Sequence, residues 1–290
     1  LQVSSSTSLS NLFAILIVYI SIYFYLRIEE LLYNSNNIER FKNALFLIKF
    51  MKTKTQKPSF KETIGITTID LDNGLQFNAQ RIGPTNFKGL READYGKGFK
   101  MATMPELTSL IYASLENKDY STAKQIIKTL KENWIRGNTG ILYTPEGMYV
   151  QDNPKLKDGR VSMDEKTLKN RLSKDENGIS YSKDKNIRFT PYGFKTEKQT
   201  SLELSNNKGL ITLVNGEENA QNLAKSSEDY MIKPYFWALT NVESPQTRVA
   251  YLGSSDFGNR LYVVADVDKG FGGSCSFGVS RNARSAAPKK

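Results

Sequence analysis

Histidine is absent from the 290 residues, and cysteine occurs once, at Cys275. Without histidine the commonest general base and the usual triad partner are gone. A Cys/His metal cluster is excluded by count, and so is an intramolecular disulfide. Carboxylates or lysines could still run catalysis, so this absence weakens an enzymatic reading without removing it. No RNP-like, zinc-finger or helix-turn-helix pattern is present. The glycine-rich segments Gly96-Lys97-Gly98 and Gly270-Phe271-Gly272-Gly273 lack the P-loop pattern, so no nucleotide cofactor is implied. Long-range internal repeats are also missing.

What remains is the composition of an ordinary globular chain. It is 39% hydrophobic and 24% charged, too apolar for disorder and long enough for one large core or one core with an inserted subdomain. Forty basic and 30 acidic residues give a net charge of +10. Basic runs such as Lys52/Lys54/Lys57 and Lys183/Lys185/Arg188 are broken by acidic and polar residues. That texture fits solvated faces better than a nucleic-acid or other acidic partner.

Leu12 to Leu26 is an apolar run of fifteen residues without a charge. It is short of the roughly 20 apolar residues of a membrane span unless Leu9 and Ile28 are borrowed. No basic segment precedes it and no A-x-A site follows, which argues against a cleaved signal peptide. Two readings stand: a membrane anchor, or a non-native extension ahead of a start at Met51, the first methionine. The first makes the protein membrane-anchored, and the second makes it soluble, cytoplasmic or virion-associated. Either way the fold is expected in 51–290, with 1–50 as an N-terminal hydrophobic extension.

From Met51 onward, Ile64–Leu71 and Leu75–Ile82 are β-type runs around Asp72-Asn73-Gly74, a hairpin turn signal. Thr103-Met104-Pro105-Glu106 is a capping box that opens a helix with Leu107, Leu110, Ile111, Ser114 and Leu115 on one face. A second helix is predicted from about Asp119 to Ile135, with the stripe Ala123, Ile126, Ile127, Leu130 and Trp134. The turn-rich stretch 137–208 reads as an insertion, with short strands at Ile141–Tyr143 and Met148–Gln151 and a helix at Met163–Leu172. Leu210–Val214 is predicted as a buried strand and Glu217–Tyr230 as a helix. Pro234 to Leu239 is strongly aromatic and reads as a core-facing strand. Strands are expected at Arg248–Leu252, Arg260–Val267 and Ser276–Ser280. The alternating carboxylates Asp70/Asp72 and Asp266/Asp268 could ligate calcium but read better as solvated turn residues, and no metal site is assigned.

Three pieces in order resemble the C-type-lectin fold of the formylglycine-generating-enzyme type. They are Phe99-Lys100-Met101-Ala102-Thr103-Met104-Pro105-Glu106-Leu107, then Arg248 to Phe257 followed by Arg260, and Phe277-Gly278-Val279-Ser280-Arg281. Ala102 and Leu107 depart from the family's commoner Pro and Trp. The resemblance implies an α+β, C-type-lectin-like fold: a twisted antiparallel sheet with two packed helices and an inserted subdomain. It does not carry over the catalytic copper site, which needs a cysteine pair where this chain has Cys275 alone.

Within that fold, the C-terminal part is similar to the variable proteins of diversity-generating retroelements, of archaeal or viral type. In those, a terminal stretch is rewritten by adenine-directed mutagenesis on a fixed scaffold. The corresponding region here is 248–281. Leu252, Phe257, Leu261, Val263 and Phe277 would anchor strands. The candidate ligand-binding positions are Tyr251, Ser254, Asp256, Asn259, Tyr262, Asp266, Asp268 and Cys275, all reachable from an Asn codon by changing adenines. Tyr, Ser, Asn and Asp also suit adaptable recognition surfaces. The plainer alternative is a polar, glycine-rich β-meander with ordinary surface residues. The expected function is recognition of a protein or cell-surface ligand, without cofactor or metal. An enzymatic or regulatory relative of the formylglycine-generating fold is the second hypothesis, and a membrane-anchored display protein the third.

Overall fold

The computed structural model describes residues 60–63, 68–255, 259–267 and 273–281. Leu12–Leu26, and with it the choice between anchor and extension, lies outside them. Among the described residues no helix is long and apolar enough to cross a membrane.

Strands β1 (Lys61–Thr63), β2 (Thr68–Asp70) and β3 (Leu75–Thr85) run antiparallel. The Asp72-Asn73-Gly74 turn joins the last two: Gly74 takes φ +79°, and the Asn73 side chain accepts from the Leu75 amide at 3.2 Å. After α1 (Phe87–Glu92) and β4 (Lys100–Met101), the capping box opens α2 (Met104–Glu116). Glu106 Oε2 accepts from both the Thr103 amide and the Thr103 hydroxyl at 2.8 Å, satisfying a donor that the first turn leaves free. Helix α3 (Ser121–Glu132) buries Ala123, Ile126 and Leu130. It stops before the predicted end, because Asn133 is already extended and Trp134 opens β5 (Trp134–Thr144).

From β5 the chain folds back as β6 (Gly147–Asp152). A separate hairpin follows, β7 (Lys155–Lys157) with β8 (Arg160–Ser162), then α4 (Glu165–Arg171). The meander β9 (Leu172–Glu176), β10 (Ile179–Ser182) and β11 (Ile187–Pro191) pairs onto β6 through β11. Next come β12 (Glu197–Lys198), α5 (Ser201–Ser205), α6 (Lys208–Val214) and α7 (Glu217–Ser226). Leu210–Val214 is therefore helical, not the strand its composition predicts. The Asn207 side chain accepts from the Leu210 amide at 3.3 Å, and Asn215 closes the helix in the left-handed region at φ +62°. Capping at both ends outweighs the β-branched composition.

The last strands are β13 (Ile232–Phe236), β14 (Gln246–Ser255), β15 (Arg260–Asp266) and β16 (Ser274–Arg281). The main sheet runs β1-β2-β3-β16-β5-β14-β15-β13-β12, antiparallel except where β16 meets β5 and β13 meets β15. Strand β5 forks it: Trp134 and Ile135 pair with β16, whereas 139–144 pair with β6 and so with the β9–β11 meander. The architecture is α+β, a large, mainly antiparallel sheet carrying several helices. The stretch 137–208 begins inside β5 and supplies five strands to this sheet, so its first part is shared framework and not an appended unit.

Helix α2 packs on α3, α6 and α7, over a core that includes Leu107, Leu110, Ile126, Leu252, Leu261 and Val263. A buried polar chain ties these layers together. The Met104 amide, at the start of α2, donates to Thr139 Oγ1 at 2.9 Å, and that hydroxyl donates to Asp152 Oδ1 at 2.7 Å. Arg188, fully buried, holds both Asp152 oxygens, at 2.6 and 3.1 Å. It also donates to the carbonyls of Thr212 and Leu213 at 2.6 and 3.3 Å, where the end of α6 favours a cation.

Candidate functional site

Alternation along β15 sets the geometry of the site. Leu261, Val263 and Ala265 are buried in the core, and Arg260, Tyr262, Val264 and Asp266 face outward. On the antiparallel neighbour β14, Tyr251 lies opposite Val264 and Gly253 opposite Tyr262, so both belong to the same outer face. On the parallel neighbour β13, Tyr235 lies beside Tyr262, and Trp237 continues that pairing through its amide to the Val263 carbonyl at 2.9 Å. Trp134 comes from the start of β5 and lies over Gly253. A Cβ at position 253 would stand 2.1 Å from Trp134 Cε3, so only glycine admits the indole there.

Five aromatic side chains therefore converge. Trp134 meets Tyr251 and Tyr262 edge-on, with ring centroids 5.1 and 6.3 Å apart and planes at 77° and 87°. Tyr235 and Tyr262 stack at 5.1 Å and 19°. These are the favoured arrangements of aromatic pairs. Together with Trp237 and Asp266 they line a cavity of about 300 Å³, at the lower end of the range for ligand pockets.

Asp266 Oδ2 accepts from the Tyr251 hydroxyl at 3.0 Å and Oδ1 from the Val267 amide at 2.7 Å. Burial first, and then the Asp266 carboxylate, hold the Tyr251 phenol well above its ordinary pKa, so at neutral pH it remains a donor. Behind Tyr251, the fully buried Arg136 places its guanidinium 5.6 Å from the ring centroid and donates to Ser274 Oγ at 2.9 Å. At the other end of the row, Arg260 Cζ lies 5.7 Å from the Tyr262 ring, and Arg260 Nη1 donates to the Tyr262 hydroxyl at 3.2 Å.

The sequence candidates divide accordingly. Tyr251, Tyr262 and Asp266 come together, although Tyr251 is only 7% exposed and is a wall of the site, not a free surface residue. Ser254 falls on the opposite face of β14, three residues from Tyr251, and donates to the Arg260 carbonyl at 2.9 Å. Asn259 precedes β15, and its carbonyl accepts from the Ile232 amide at 3.0 Å. Asp256 and Asp268 lie outside the described residues.

Cys275 is a correction: it is fully buried and belongs to the core. It lies under Gly83, where a Cβ would come within 2.9 Å of Cys275 Cα. Burial pushes its thiol pKa up, which leaves it protonated and unreactive. Sequence reasoning missed Trp134, Tyr235 and Trp237 as site residues. Helical spacing puts Trp134 on the stripe of the second helix, and composition alone gives the Pro234–Leu239 aromatics to the core. Period-two alternation would have turned Tyr235 and Trp237 away from the buried Phe236.

A larger cavity of about 510 Å³ is lined by residues including Met163, Asp164 and Lys169. Two of its four charged side chains are already engaged: Asp164 caps α4 and Lys169 pairs with Glu146 at 2.8 Å. Among the described residues no group of three Cys, Asp or Glu side chains is placed to hold a metal ion, and Asp70 is held by the Gln76 amide at 2.8 Å.

No family model and no curated protein matches the chain. A solved structure that describes the accommodation of massive sequence variation in Nanoarchaeota by the C-type lectin fold is similar to it. The TM-score is 0.45 and the identity 16%, over 70% of this chain and 97% of that one.

Proposed function

We propose that this chain is a ligand-binding protein of the C-type-lectin kind, whose recognition surface is the outer face of β13–β15 together with Trp134. The observation that supports this reading is the convergence of five aromatic side chains on one open cavity. Four of the five are half-buried and Tyr251 nearly buried, and a cluster of aromatic side chains that keeps contact with water on a sheet face is suited to an interaction site. Trp and Tyr are also the residues that most often dominate binding energy.

In this reading the wall is made of two parts. Trp134, Tyr235 and Trp237 precede 248–281 and are the constant part. Tyr251, Tyr262 and Asp266 fall inside it and are the part of the wall that a retroelement would rewrite; Asn259, Asp256 and Asp268 remain further candidates for rewriting, whereas Ser254, on the opposite face of β14, does not belong to this surface. The partner is a protein or cell-surface ligand. Binding excludes water from the cavity and lets the tyrosines contribute large contact areas at low entropy cost.

The test is selection of displayed peptides on the immobilised chain. Selected peptides should lose about tenfold or more in affinity on Tyr262→Ala. Peptides that bind that variant as well as the unaltered chain would place recognition elsewhere. The diversification part has its own test: a reverse-transcriptase gene and a near-copy of the 248–281 coding segment in the flanking DNA. Their absence would remove the retroelement part and leave the binding surface in place.

A further inference from the structure

Building on the recognition surface proposed above, we infer that the aromatic cavity takes an arginine side chain presented by a protein partner. Among the described residues that line it, Asp266 is the one charged side chain. Each of its oxygens accepts one hydrogen bond, from the Tyr251 hydroxyl and the Val267 amide. A carboxylate oxygen has two acceptor positions, so one remains on each oxygen. Among the described residues no basic side chain pairs with it. One open position on each oxygen suits the fork of a guanidinium, which binds carboxylates through two parallel hydrogen bonds.

The walls fit the same group. A guanidinium is flat, weakly hydrated and attracted to aromatic faces, whereas an ammonium is compact and strongly hydrated. Trp134 stands nearly perpendicular to Tyr251 and Tyr262, so the aromatic lining presents rings in more than one orientation to a flat cation. The alkyl stem of the arginine would lie along those rings, with its head at Asp266.

Two arginines of the chain itself oppose a cation, and neither is among the residues that line the cavity. Arg260 and Asp266 are six residues apart on β15, about 20 Å along the strand, well beyond the screening length of about 8 Å. Arg136 is fully buried behind Tyr251 and does not line the cavity, so its charge offsets part of that of Asp266 without competing for the ligand's place. Nor does the overall charge repel a basic partner strongly. Residues 1–59 hold seven basic and three acidic side chains and 282–290 hold three basic ones, so of the net +10 only +3 belongs to residues 60–281.

The chain's two tryptophans, Trp134 and Trp237, both line the cavity, so intrinsic fluorescence reports on it directly. The experiment titrates the full chain with capped Gly-Arg-Gly and with its citrulline, lysine and phenylalanine counterparts. The arginine peptide should change the emission saturably. The citrulline peptide, neutral and of the same shape, should bind about tenfold or more weakly. Asp266→Asn should abolish that difference while circular dichroism shows the chain folded. Should that variant not fold, the arginine–citrulline comparison on the unaltered chain still decides. Equal binding of arginine and citrulline, or preference for lysine or phenylalanine, would overturn the arginine assignment and leave the recognition surface standing. No emission change with any peptide would overturn both.

Discussion

At Gly253 one hydrogen atom in place of a methyl group decides where Trp134 lies, and with it the back wall of the cavity. The nearest indole carbon would be 2.1 Å from an added Cβ, far inside contact distance, and the indole is held on its other sides by Tyr251 and Tyr262. Gly253→Ala is therefore expected to cost about 1–3 kcal/mol, the usual range for overpacking, and to shift tryptophan emission. An unchanged melting curve together with unchanged emission would show that the indole is not pinned there. Tyr251 makes the companion point. Its ring is nearly buried and its hydroxyl is bound to Asp266, so it is both packing and surface. Rewriting that position changes the shape of the site as well as its chemistry, which sequence alone presents as a simple exposed tyrosine.

Among the elements, the buried chain from α2 through Thr139, Asp152 and Arg188 to α6 is where one change should cost most. Asp152→Ala would leave the fully buried Arg188 guanidinium without its carboxylate, expected to destabilise by about 3–5 kcal/mol. A loss under about 1 kcal/mol in denaturant melts would show that water or the helix carbonyls suffice. Element by element, what could be read from sequence was local. The capping box at Thr103 and Glu106 and the stripe of α2 lie within one window, as does the Asn73-Gly74 turn. Helix α6 reads as a strand from composition because its identity rests on Asn207 and Asn215, at its two ends, while Ile211, Thr212 and Val214 within it are β-branched. Trp134 was misread because the helical spacing of α3 continues for one step past the point where the backbone has already extended. The face that Ser254 occupies was available from alternation. The joining of Trp134, Tyr235 and Tyr262 was not, because parallel pairing of β13 with β15 and the β5–β14 pairing are contacts between distant segments.

Across the whole molecule, one sheet carries two jobs on opposite faces. Leu252, Leu261 and Val263 are sealed against the helices, while Tyr235, Trp237 and Tyr262 face the cavity. Such a division lets the outer face change while the inner face holds the fold, which is what a diversifiable recognition protein requires. A paired series of melts and peptide-binding titrations on Tyr262→Ala, Tyr235→Ala and Leu261→Ala measures that division directly. The two tyrosine variants should lose less than about 1.5 kcal/mol of stability, of the order of one aromatic pair, yet bind selected peptides about tenfold or more weakly. Leu261→Ala should lose about 2–5 kcal/mol through the cavity it leaves, and its folded fraction should bind with unchanged affinity. Tyrosine variants that unfold the chain, or that melt and bind as the unaltered protein does, would contradict the assignment of this face to recognition.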